Sequence, residues 1–157
     1  METLQHLLLS IYFLGSIFHC YTDIKEQLLY DEISLAMLAA GLTYMGCMHK
    51  LWEGIYGCGI TGIIFFLLFG FSGGGMGFGD VKLAVVLGAW LGWREGLLSL
   101  LLALLLGTVG GGLLLLSGRK KVEDAMPFGP YMCLSGGLML AYGKELIAVY
   151  EGLLMLN

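Results

Sequence analysis

Six mostly apolar stretches alternate with short polar connections along the chain, at residues 4–20, 33–48, 55–71, 81–93, 97–116 and 128–142, and an amphipathic tail follows at 146–156. A helix needs ~20 residues to cross the hydrocarbon core, and fewer when it stops at the interface, so the pattern predicts about six transmembrane helices. The stretch after Asp80 is short for a full crossing. Its helix can start below the membrane surface, with Asp80 partly inside. The first stretch has no basic n-region and no small-x-small cleavage site after it, so it reads as a retained helix and not a secretory signal.

Composition points the same way. Apolar residues make up 58% of 157, charged residues 13%, and mean hydropathy is +0.85, outside the profile of a soluble domain. No polar segment is long enough to form a soluble unit. Residues 1–157 therefore read as a single membrane-embedded domain, an all-α polytopic helix bundle in contact with lipid. With the N-terminus outside, Lys25, Lys82, Arg119, Lys120 and Lys121 fall on the cytoplasmic side, against Lys50, Arg94 and Lys144 outside. That excess favours this orientation, and it puts the connections bearing Asp23 and Asp80 on the cytoplasmic face. A net charge of −4 without a basic face argues against nucleic-acid binding.

Glycine is abundant, at 26 residues. The Gly88/Gly92 and Gly107/Gly111 pairs have the small-xxx-small spacing with which membrane helices pack closely. Cys20, Cys47, Cys58 and Cys133 are scattered and form no C-x-x-C, so neither a disulfide framework nor a metal site is expected, and no cofactor is implied.

The candidate chemistry lies in the run Phe71-Ser-Gly-Gly-Gly-Met-Gly-Phe-Gly-Asp80-Val-Lys82. A carboxylate at the bilayer centre costs roughly 2.5–3.5 kcal/mol even on the lenient insertion scale, so Asp80 is a functional candidate. The glycines do not match a dinucleotide-binding G-x-G-x-x-G. Asp80 as a plain N-cap is the structural alternative. Gly70-Phe-Ser72-Gly73 spells the G-x-S-G of a serine protease, but His6, His19 and His49 all precede it, whereas rhomboid-type proteases have their base on a later helix. Hydrolysis by Asp80 needs a second carboxylate. Asp23, at the end of the first helix, is the best candidate, with a solvated interfacial charge as its alternative; Asp31 and Glu32 look like the N-cap and first turn of the second helix. Asp80 begins a helix and Asp23 ends one, so the helix dipole places the shared proton on Asp23.

Gly77-Phe-Gly-Asp80-Val-Lys-Leu83 resembles the GxGD signature of intramembrane aspartyl proteases, most of all the type IV prepilin peptidases. Asp23-Ile-Lys-Glu-Gln-Leu-Leu-Tyr-Asp31 is similar to that family's first catalytic segment, Met126-Pro-Phe-Gly-Pro130 to its proline-containing segment, and Gly88-Ala-Trp-Leu-Gly-Trp93 fits between them. The resemblance implies an aspartic endopeptidase of the bacterial inner membrane that removes the basic leader of prepilin or pseudopilin precursors at the cytoplasmic face. It implies Asp23 and Asp80 as the catalytic pair with a water nucleophile, Gly77 and Gly79 as the backbone that lets Asp80 reach the scissile bond, and Pro127, Gly129 and Pro130 as residues shaping the entrance. Longer members carry paired C-x-x-C motifs linked to N-methylation, which this sequence lacks, so methyltransferase activity is not expected. Tyr30 stands where the family usually has proline, which predicts a different approach angle for the second helix. The competing class is a non-enzymatic transporter or assembly subunit, since paired intramembrane acids also serve proton coupling.

Overall fold

A computed structural model of the chain describes residues 2–73, 75–117 and 127–155. The Arg119–Lys121 cluster used for orientation, and Met126, lie outside them. The described residues form helices and connections, with no strand: α1 Glu2–Glu26, α2 Asp31–Cys47, α3 Leu51–Phe71, α4 Phe78–Leu116 and α5 Gly129–Met155. Gly92 breaks α4 into arms 78–91 and 93–116, and Tyr142 interrupts α5 between 129–141 and 143–155. Six apolar helical stretches and a tail result, as the hydropathy pattern predicts. Residues Glu2–Glu26, Leu51–Phe71 and Phe78–Leu114 are long and apolar enough to cross a membrane.

Gly92 has a second role that its spacing from Gly88 does not announce. Its φ of +76° lies in the left-handed region, where a side chain is strained and glycine is not. Gly92 is thus the corner of α4 as well as part of its packing surface with Gly88, since a Cβ on Gly57 of α3 would stand 2.7 Å from the Gly92 carbonyl carbon and 2.9 Å from that of Gly88. The second arm folds back over the first, so that a Cβ on Gly96 would lie 3.5 Å from Gly88 Cα. The corner sits beside Lys50, Glu53, Arg94 and Glu95.

The first arm of α4 is the centre of the bundle. Leu83, Ala84, Leu87, Ala89 and Trp90 are buried in it; Trp90 packs edge-on against Tyr12 of α1 and beside Tyr44 of α2, and its Nε1–H donates to the Met37 carbonyl at 2.8 Å. Small residues let α3 come closest. A Cβ on Gly57 would overlap the Gly88 carbonyl, and Thr61 Oγ1 lies 2.8 Å from both the Ala84 and Gly57 carbonyl oxygens. On the second arm Gly107 faces Phe128, just before α5, and Tyr131 in its first turn, and Gly110 faces Tyr131.

The distribution of side chains is that of a protein whose solvent is lipid. Leu14, Ile17 and Ile24 face outward from α1, and Ile63 and Phe66 from α3, whereas Ser16, His19, Thr22, Asp23, Thr61, Asp80, Ser99 and Ser135 are buried. Polar groups in such interiors find partners across helices, as Ser99 and Ser135 do at 3.1 Å between α4 and α5. Gly88→Ala is expected to force α3 and α4 apart and cost about 1–3 kcal/mol, the usual range for overpacking. Thermal unfolding in detergent measures it against Gly59→Ala, where an added Cβ meets nothing within 4 Å and no loss is expected.

Candidate active site

Three helix ends converge at one end of the bundle: the C-terminus of α1, the N-terminus of α4 and the N-terminus of α5. Asp23 lies in the last turn of α1 and Asp80 in the first turn of α4, with only 6% and 8% of their surfaces exposed. The two carboxylates are close enough to interact electrostatically. Asp23 is therefore no solvated interfacial charge. The first arm of α4, at about 1.5 Å per residue over 78–91, spans about 21 Å, short of the ~30 Å hydrocarbon core.

Asp80 is not an N-cap. It is the third residue of α4, its N–H donating to the Gly77 carbonyl at 3.1 Å, while the backbone of Gly77 interacts with its carboxylate. That return from the third helical position to the cap is the geometry of a capping box, here with Asp in the place of Glu. The carboxylate is thereby fixed over the start of its own helix.

Asp23 is held from α5. The Gly129 N–H donates to its Oδ2 at 2.8 Å. The first N–H groups of a helix have no partner within it, and Pro130, next in the chain, has none to offer, so the free donor of this turn is directed at Asp23. A Cβ on Gly129 would stand 2.8 Å from that oxygen and 3.2 Å from the carboxyl carbon; only glycine fits. The contact also removes the ground for assigning the shared proton by helix dipoles, because Asp23 now faces a helix N-terminus as Asp80 does.

The other expected site residues fall as follows. Gly79 packs on Leu29 of the α1–α2 connection, where a Cβ would lie 3.1 Å from the side chain, and Gly77 leaves 3.8 Å between a built Cβ and Asp80 Oδ2. Neither has positive φ; in the described part of the glycine cluster only Gly73 does. Their contribution here is close packing and an open approach, rather than unusual backbone angles. Pro127 and Pro130 are half-buried beside Gly129, and Phe128 between them stacks on Phe65. Ser72 of the G-x-S-G spelling ends α3, its hydroxyl donating to the Phe69 carbonyl at 2.8 Å. Tyr30 has φ −73° and ψ 128°, a backbone conformation that proline would also adopt.

Two features of the site were not read from the sequence. Asp31 does not cap α2; Tyr30 holds that position without a side-chain bond, and Asp31 pairs with Lys82. His19 is fully buried one turn before Asp23, with Nε2 3.1 Å from Ser34 Oγ. Lys25 meanwhile donates to Tyr21 Oη. Among the described residues, no cation pairs with either aspartate.

A polytopic bundle that buries two facing carboxylates defines an integral membrane protein with a built acidic site. The model of the type IV leader peptidase family matches residues 10–112, and the chain belongs to that family. It is 38% identical over 134 residues to the prepilin leader peptidase/N-methyltransferase of Pseudomonas putida, covering 80% of this chain and 46% of that protein. It is 33% identical over 135 residues to the protein of the same name from Stutzerimonas stutzeri, covering 82% and 47%, and 34% over 136 residues to that of Pseudomonas aeruginosa, again 82% and 47%. The chain spans about half the length of these curated relatives. No solved structure gives a significant match.

Proposed function

We propose that this chain is an aspartic endopeptidase that removes the leader of prepilin-like precursors, with Asp23 and Asp80 as its catalytic pair. The observation that supports this most is the convergence of two buried carboxylates from different helices with no described cation between them. Such a pair can share one proton between two oxygen acids, the arrangement that aspartic proteases use. The ionised member takes a proton from a water molecule as its oxygen attacks the scissile carbonyl carbon. The protonated member donates to the carbonyl oxygen, giving a neutral diol. Collapse of the diol breaks the C–N bond, and a proton passes to the departing amine, leaving a new carboxyl on the leader and a new N-terminus on the mature chain.

The site's position suits an extended segment next to an apolar helix. In this reading the precursor's leader stays on the cytoplasmic side, its apolar helix lies in the inner membrane, and the bond between them reaches the pair beneath the surface. Gly129, the first residue of α5, borders Asp23 and Gly77, just before α4, borders Asp80, with Pro127 and Pro130 flanking Gly129 in the chain. No observation favours the transporter reading: helices broken at the bilayer midplane mark that class, whereas the break in α4 lies at the opposite end from the aspartates, at a corner lined by Lys50, Glu53, Arg94 and Glu95.

The test is reconstitution. Purified protein in liposomes is expected to shorten a prepilin by the length of its leader, and to leave uncut a prepilin whose glycine at the scissile bond is replaced by leucine. A prepilin that stays intact with the reconstituted protein would overturn the assignment.

A further inference from the structure

We propose that Lys82 and Asp31 are positioning residues, which use the start of α2 as a strut to set the placement of Asp80 against Asp23; the inference rests on the peptidase reading above. Lys82 Nζ lies 2.5 Å from Asp31 Oδ1. Asp31 is the first residue of α2, and Lys82 stands two residues beyond Asp80 on α4. At 100° per residue those two side chains leave α4 about 200° apart. The lysine therefore grips the helix from the side away from the carboxylate pair, where it can fix the rotation of the turn without neutralising Asp80.

The strut continues to the other aspartate. Ser34 follows Asp31 by three residues, on the same face of α2, and its hydroxyl meets Nε2 of the buried His19 at 3.1 Å. His19 precedes Asp23 by four residues, again on one face of α1. Two side-chain contacts, His19 to Ser34 and Asp31 to Lys82, thus join the helix of Asp23 to the helix of Asp80 through one turn of α2. Leu29, just before that turn, packs on Gly79 beside Asp80. The lysine is oriented in turn by the Phe78 ring, whose centroid is 5.4 Å from Nζ, a distance at which a cation is attracted to an aromatic face.

This grip has a mechanical purpose. The first turn of α4 follows a glycine-rich connection, 72–77, and a catalytic group misplaced by about 1 Å loses on the order of 100-fold in rate. The pair itself is 36% exposed at Lys82 and 68% at Asp31, so its contribution to global stability is small. Loss of the pair should spare the fold and reduce the rate.

The experiment measures prepilin cleavage in liposomes by Lys82→Met, which keeps the stem and drops the charge, by Asp31→Asn, by the double variant, and by the exchange Asp31→Lys with Lys82→Asp. Each single variant is expected to lower kcat about 10-fold with KM within about twofold. The double variant should be no slower than the slower single one, because one shared contact has been lost, and the exchange should recover to within about threefold of the parent. Single variants at the parent rate, or losses that multiply and are not rescued by the exchange, would overturn the inference. A second arm does not depend on catalysis: with the four native cysteines replaced by serine, Asp23→Cys/Asp80→Cys is joined by a short bifunctional thiol reagent. Adding Lys82→Met is expected to slow that cross-link and the exchange to restore it; an unchanged rate contradicts the strut even if the parent chain were found not to cleave a prepilin.

Discussion

Asp23→Asn and Asp80→Asn are each expected to lower the rate of prepilin cleavage at least ~10³-fold, within the 10²–10⁴ range of positioned acid–base groups, while the protein still inserts and folds. Asparagine keeps the volume of aspartate but can neither take a proton from water nor deliver one to the carbonyl. If the two groups act as one unit, the double variant falls little further than either single one. Two independent contributions would instead multiply. Tryptophan fluorescence follows folding in the same samples, because Trp90 is buried between α1, α2 and α4 and reports the packing around the site's helices.

Gly129→Ala carries the next largest expected effect, a loss of about 100-fold in kcat. The added Cβ would stand 2.8 Å from Asp23 Oδ2, well inside ordinary van der Waals contact. Either the carboxylate swings away or α5 retreats, and both lose the 2.8 Å bond from the Gly129 N–H. A displacement of about 1 Å at a reacting group is enough for that loss. Gly137→Ala, in the same helix, serves as control: its Cβ would meet only Phe13, at 3.6 Å, so cleavage by this variant should stay at the parent rate. Equal rates for the two variants would remove Gly129 from the site.

The helical plan was legible because hydropathy writes it directly: apolar stretches of near-membrane length, separated by glycine, lysine and acids. Asp80 was legible for a related reason, since an acid next to an apolar stretch is costly wherever the chain puts it. Asp23 was harder, because it sits among Lys25, Glu26 and Tyr21 at a helix end and looks like an interfacial charge; only the meeting of α1, α4 and α5 shows that it is buried. Gly92 was read only in part: its spacing from Gly88 announces the close approach of Gly57 that both make, but a left-handed φ leaves no trace in the sequence beyond the glycine itself. Gly110, three residues after Gly107, makes a close approach to Tyr131 that a four-residue spacing does not pick out. Asp31 looked like a cap because it opens a helix, yet its partner Lys82 stands 51 residues away, beyond any local rule. Tyr30 stands where the family usually has proline, and its φ is one that proline itself adopts.

In the proposed mechanism water cleaves the peptide bond, and the Asp23/Asp80 pair activates it. Both parts are checked at once by the intact masses of the two fragments of a prepilin incubated with the reconstituted protein in H₂¹⁸O. The expected products are a leader ending in glycine, with one ¹⁸O in its new carboxyl, and a mature chain beginning at the next residue, both absent when Asp80→Asn replaces the parent. The same two fragments appearing at the parent rate with Asp80→Asn, or with Asp23→Asn, would contradict it.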